Sequence, residues 1–220
     1  MRTLAPAFAV LLALTASAQE PANQPKAETE QRVFDQAEHV GEGVTRSFFT
    51  FSAGGHDYTL RGDGYVESRG GRARPRPVYF NLKVDRGHLE QVYFLEYEGD
   101  LLLIYEVTDG ARGWGYAARL SPAAARVKWL TGISGFNFGP ALVESGHAYL
   151  TAAGLLAKLD LGSGAYVWRQ QLRPDKDSPP GQVFQAPRVE GDQVFFTEDT
   201  APRRTFVAAK LDGKIVAVRD

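Results

Sequence analysis

The chain has no cysteine among its 220 residues. Disulfide staples are therefore excluded, and so is the acylated cysteine of a lipoprotein. Long apolar runs are missing too: beyond the first stretch, nothing approaches the ~20 residues a membrane helix needs. Charge of one sign is also lacking. With 25 Lys and Arg against 26 Asp and Glu, the net charge is -1, which leaves no electrostatic footprint for nucleic acid or an anionic membrane. No segment sustains helical periodicity. No GxSxG elbow, Ser/His/Asp grouping or phosphate-cradling loop occurs. The histidines, His39, His56, His88 and His147, have no metal-ligand spacing. A chain with these absences must hold its fold by packing alone.

What is present begins with an export signature. Arg2 precedes an apolar run from Leu4 to Leu14, and Ala16-Ser17-Ala18 supplies the small-x-small cleavage pattern. Residues 1–18 are expected to be a cleaved signal peptide, too short to span a bilayer, giving a periplasmic or secreted product. Loss of Arg2 leaves 24 basic against 26 acidic residues, a net of -2. Gln19–Gln31 has no aromatic and only Thr29 as a β-branched residue, so residues 19–40 are expected to form a flexible N-terminal tail. Arg32–Val40 has the makings of a short helix or lead-in strand. Residues 41–220 are expected to hold one folded domain.

With 23 glycines and 12 prolines, the remainder reads as short strands split by turns, roughly sixteen in number. The clearest are Arg46–Phe51, Val78–Val84, Gln91–Tyr97, Leu101–Val107, Ala148–Ala152, Tyr166–Gln170, Val194–Thr197 and Phe206–Leu211. Gly before His or Asp, followed by an apolar strand, recurs at Gly55-His56, Gly99-Asp100, Gly146-His147 and Gly191-Asp192, the glycines 44, 47 and 45 residues apart. A period near 45 with four strands predicts an all-β, propeller-like repeat of about four four-stranded antiparallel blades. Whether four blades close a ring, stay incomplete or pair with another subunit stays open at this point. The shared slot after the turn glycine points to a local hydrogen-bonding role for His56 and His147.

A second landmark runs in phase. LSPAAARVKW (Leu120–Trp129) and LDLGSGAYVW (Leu159–Trp168) each place Trp nine residues after Leu, and a shortened copy, LDGKIVAV, starts at Leu211. Here the chain resembles the pyrroloquinoline-quinone-type (PQQ-like) β-propeller repeats, mainly over residues 97–220. Asp160, Ser163, Gly164 and Trp168 match the family's blade-ending motif, and Lys158 stands where the family has Ala. In the neighbouring copy only Leu120 and Trp129 fit. The resemblance implies that Trp129 and Trp168 pack between blades. The family's quinone-dependent dehydrogenases use adjacent cysteines, a calcium ion and an Asp base, and no position here matches those ligands. No cofactor and no metal are therefore expected.

Other motifs have plain explanations. Arg61-Gly62-Asp63-Gly64 fits a hairpin turn. Asp175-Lys176-Asp177-Ser178 lacks the glycine and distal Glu of a calcium loop. Two surface candidates remain. Ser68–Pro77 concentrates Arg69, Arg72, Arg74 and Arg76 in a Gly/Pro-rich loop suited to an acidic partner or polysaccharide. Trp114, Tyr116, Phe136 and Phe138 lie among glycines in expected loops, suited to a peptide or a sugar ring, or else to covering the blade core. The favoured reading is an exported, non-enzymatic module that recognises a protein or glycan partner. Its alternatives are a degenerate quinoprotein-like oxidoreductase, a glycan-active enzyme, or a purely structural envelope component.

Overall fold

Turn chemistry sets the frame of the fold. In the computed structural model, which describes residues 27–33, 39–40, 44–45, 48–70, 76–84, 87–172, 182–201 and 203–220, every regular element is a strand. The expected signal peptide, Arg72, Arg74 and Asp175–Ser178 lie outside those residues. The chain enters through four short strands, β1 (Ala27–Glu28), β2 (Glu30–Val33), β3 (His39–Val40) and β4 (Val44–Thr45). Sixteen more follow, four to a sheet. Blade 1 contains β5 (Phe48–Ala53), β6 (His56–Arg61), β7 (Tyr65–Gly70) and β8 (Val78–Asn81). Blade 2 contains β9 (His88–Tyr97), β10 (Asp100–Thr108), β11 (Gly113–Ser121) and β12 (Arg126–Ile133). Blade 3 is formed by β13 (Leu142–Glu144), β14 (His147–Ala152), β15 (Leu155–Asp160) and β16 (Tyr166–Gln171). Blade 4 has β17 (Arg188–Glu190), β18 (Gln193–Thr197), β19 (Thr205–Ala209) and β20 (Ile215–Arg219). Each is an antiparallel meander, as the period near 45 requires.

The recurrent glycines all sit in the turn between a blade's first two strands. At Gly54-Gly55, Glu98-Gly99 and Ser145-Gly146 both central residues have positive φ, the demand of a type I′ hairpin. At Gly191-Asp192 only the first does. His56, Asp100 and His147 therefore open the second strands, whereas blade 4 has Gln193 in that slot. His147 meets the expected role, its Nδ1 lying 2.8 Å from the Ser145 carbonyl. His56 contacts the Ser68 hydroxyl at 3.2 Å. The Arg61–Gly64 stretch is the β6–β7 turn, closed by Gly64 N–H donating to Arg61 O at 2.9 Å.

Burial on both faces distinguishes the middle blades. Along β10, Leu101, Leu103, Tyr105 and Val107 join the core shared with blade 1, while Leu102 and Ile104 join the core shared with blade 3. A third core unites blades 3 and 4 around Tyr149, Leu156, Trp168, Val194 and Phe196. Among the described residues no core joins blade 4 to blade 1, so the four blades form an open arc.

Two expectations change. Ala27–Val33, assigned to the tail, adds strands to two blades: β1 pairs with β13, and β2 with β9. Backbone pairing with existing edges orders a segment whose composition offers no core of its own. Gly113–Tyr116, assigned to a loop, opens β11. Its glycine is demanded by packing, since a Cβ on Gly115 would lie 2.0 Å from the Phe138 ring.

Candidate functional site

The motif from Asp160 to Trp168 builds a junction between blades. Asp160 Oδ1 accepts from the Ser163 N–H at 2.7 Å and from its hydroxyl at 2.6 Å, which tightens the turn after β15. Gly164 takes φ 74, and the Trp129 ring lies where its Cβ would be, at 2.5 Å. The next junction repeats the arrangement, with Trp168 over Gly213, which has φ 73. Each indole also donates across the junction: Trp129 Nε1 to Leu161 O at 2.9 Å and Trp168 Nε1 to Lys210 O at 3.1 Å.

A cation shares each of those carbonyls. Arg119 Nη1 reaches Leu161 O at 2.9 Å, and Lys158 Nζ reaches Lys210 O at 3.3 Å. Lys158 thus has a cross-junction partner at the position where the resembled repeats have Ala. Burial pushes its pKa below the ordinary lysine value, and the nearby Lys210 adds to the effect. Asp100 binds Arg119 and Lys128, both at 2.6 Å. Burial alone raises its pKa, but hydrogen bonds from Lys128, Ser121 and Arg119 outweigh it and hold the carboxyl below its usual range. Turn equivalence also corrects the third copy of the motif. Leu211 occupies the turn at 85% exposure, and the counterpart of Leu159 is the buried Ala208.

The aromatic candidates divide. Tyr116 stacks on Tyr105 with centroids 5.3 Å apart, and it and Trp114 pack, partly buried, against the core between blades 1 and 2. Phe138 is 1% exposed and belongs to the core between blades 2 and 3, so it packs the blades and offers no surface to a partner. Phe136 is different: the residue is 47% exposed. Arg76 is exposed beside the start of β8, at the opposite end of the antiparallel blades from the β12–β13 connection that carries Phe136.

Phe136 sits on the connector from β12 to β13, residues 134–141, which is pinned along its length. Phe136 O accepts from Ala153 N–H at 2.8 Å, and Gly139 N–H donates to Thr151 O at 3.3 Å. Asn137, with φ 54, donates its N–H to Glu106 Oε2 at 3.0 Å. Phe138 O accepts from the Tyr93 hydroxyl at 2.7 Å and Gln91 Nε2 at 3.0 Å. Burial pushes the Tyr93 hydroxyl up to about 12. Glu106, 6% exposed, has its pKa raised by burial against the opposing hydrogen bond from Asn137, with a further upward push from Glu90. These anchors were not singled out in the sequence, where a lone acid in LLLIYEVT was the available signal. Among the described residues, no group of three or more His, Cys, Asp or Glu side chains is placed to hold a metal. Among them there is no helix long and apolar enough to cross a membrane.

Four-stranded meanders packed face to face in a row, with indoles docked across the junctions, define a β-propeller arc. More narrowly, the fold is that of the PQQ-like β-propeller repeats. The structure is similar to BamB from Moraxella catarrhalis, at TM-score 0.50 and 15% identity, over 89% of this chain and 52% of that one. It is similar to AztD from Citrobacter koseri at TM-score 0.50 and 13% identity, over 80% and 48% of the two chains. The chain thus spans about half the length of these solved structures. By sequence it matches no protein-family model and no curated protein.

Proposed function

We propose that this chain is an exported, non-enzymatic propeller module that recognises a macromolecular partner through the end of the arc bearing Phe136. The observation that carries this reading is a large exposed aromatic held on a rigid support. A mobile loop would hide its phenyl ring or lose entropy on binding. A connector fixed by Glu106, Tyr93, Gln91, Ala153 and Thr151 has met that cost during folding, which is how recognition surfaces present their anchors. Trp114, partly buried at the start of β11, flanks the same end. Export rests on the signal-like residues 1–18, and partner chemistry on the aromatic side chains Phe136 and Trp114 at this end.

The test separates surface from core. Phe136→Ala should reduce capture of envelope or secreted partners in a pull-down while leaving the Tm within a degree or two, as expected for an exposed side chain. Phe138→Ala, one connector position pair away, should cost about 3–5 kcal/mol of stability. Undiminished capture by a folded Phe136→Ala chain would remove the site.

A further inference from the structure

The least expected part of the fold is the entry segment. In seven residues it adds an antiparallel strand to β13, with Ala27 opposite Val143 and Glu28 opposite Leu142, and another to β9, from Glu30 opposite Phe94 to Val33 opposite Gln91. Seven residues reach at most ~25 Å, so the first-strand edges of blades 2 and 3 lie close together and accept one continuous extended peptide. Thr29 marks the crossing point. It is 7% exposed, its N–H donates to Ala141 O at 3.0 Å, and its Oγ1 accepts from Ala141 N–H at 2.9 Å and lies 3.4 Å from Ala141 O. A single hydroxylated residue is thereby read by one backbone unit. Ala141 also ends the connector that presents Phe136.

We propose that the edges of β9 and β13, with Ala141 between them, form an acceptor for an extended peptide with Ser or Thr at its centre. Ala27–Val33 is this chain's own occupant, and a segment of a partner protein displaces it. Strand addition of this kind gains affinity from main-chain hydrogen bonds and specificity from single side-chain slots. The resident strands, two and four residues long, make few such bonds. They hold their place through the high effective concentration of a tethered segment. The inference rests on the partner-binding reading above and supplies the partner's chemistry, an extended polypeptide.

The probe is a fluorescent synthetic peptide with the sequence of residues 25–35, added to the full chain. With the unsubstituted chain, binding should be weak because the tethered copy competes. Thr29→Pro in the chain removes the N–H and the hydroxyl together, and should strengthen peptide binding by about tenfold or more as the acceptor opens. The same peptide carrying Thr29→Val should bind that variant about tenfold more weakly, having lost the hydroxyl contacts. A folded Thr29→Pro chain that binds the peptide no better than the unsubstituted one would overturn the proposal. If that variant does not fold, hydrogen exchange in the unsubstituted chain decides: excess peptide should accelerate exchange of the amides in residues 27–33, and unchanged exchange refutes displacement. Loss of partner capture in Phe136→Ala with no peptide effect would sink the acceptor alone. Peptide binding with intact Phe136→Ala capture would sink only the aromatic site.

Discussion

At the scale of single residues, the junctions show why glycine and tryptophan come as a pair. Gly164 is needed twice over, once for φ 74 and once because the Trp129 ring fills its Cβ space. Ala125 occupies the same turn position in blade 2 with φ 53, and the cross-strand register puts Val78 where the following blades have Trp. Removing the indole removes the steric half of the demand. Gly164→Ala should therefore cost more than about 2 kcal/mol, combining left-handed strain with overpacking. Ala125→Gly should change stability by less than about 1 kcal/mol. Trp168 is buried between blades 3 and 4, meeting Phe196 edge-on at 6.2 Å. Its replacement by Ala should cost about 3–5 kcal/mol in denaturant unfolding. A loss near zero would mean the junction contributes no packing.

At the scale of elements, the β12–β13 connector is held by a buried acid, and that has a pH signature. The Glu106 pKa is raised in the folded chain, so between its unfolded value of about 4.3 and its folded value the native state binds the extra proton. Stability contributed by this group is present at low pH and is lost as pH rises through that window. Glu106→Gln keeps an oxygen for the Asn137 N–H and carries no charge to bury. It should raise the Tm at neutral pH, with the gain fading as the pH approaches about 4. A constant difference at every pH would show that charge burial is not the cause. The same element shows what a sequence reveals. Turn glycines and the Leu-to-Trp spacing expose the repeat because each is fixed by local backbone geometry. The connector's anchors Gln91, Tyr93 and Glu106 come from strands, 31 to 47 residues away in sequence from the residues they hold, and no local pattern encodes such pairing. The Gly113–Tyr116 strand was hidden for a related reason, its glycine being required by a ring from the following connector.

For the whole molecule, the decisive comparison is between faces that meet a neighbouring blade and faces that do not. Blade 3 presents Leu142, Leu156 and Trp168 to blade 4. The cross-strand registers put Arg188, Thr205 and Ala217 in the equivalent places on the far face of blade 4. Arg188 and Arg219 also lie over the Phe195 ring there, at 5.2 and 5.6 Å, which shields it. At the other end, where blade 2 turns Leu101, Leu103 and Leu120 toward blade 1, blade 1 turns Asp57, Thr59 and Arg69 outward. Terminal units of stacked repeats carry polar outer faces for the same reason, since an uncovered apolar face invites association. At these positions the arc's ends lack the large apolar side chains that join the blades within the chain, although the outer face of blade 1 also exposes Phe48 and Tyr79. The unsubstituted chain should keep one mass in light scattering across a wide concentration range. The triple variant Arg188→Leu, Thr205→Leu, Ala217→Trp restores the inner-face residues at blade 4 and should associate as concentration rises. Concentration-dependent closure of the unsubstituted chain into a discrete dimer would show that these polar faces are interfaces after all.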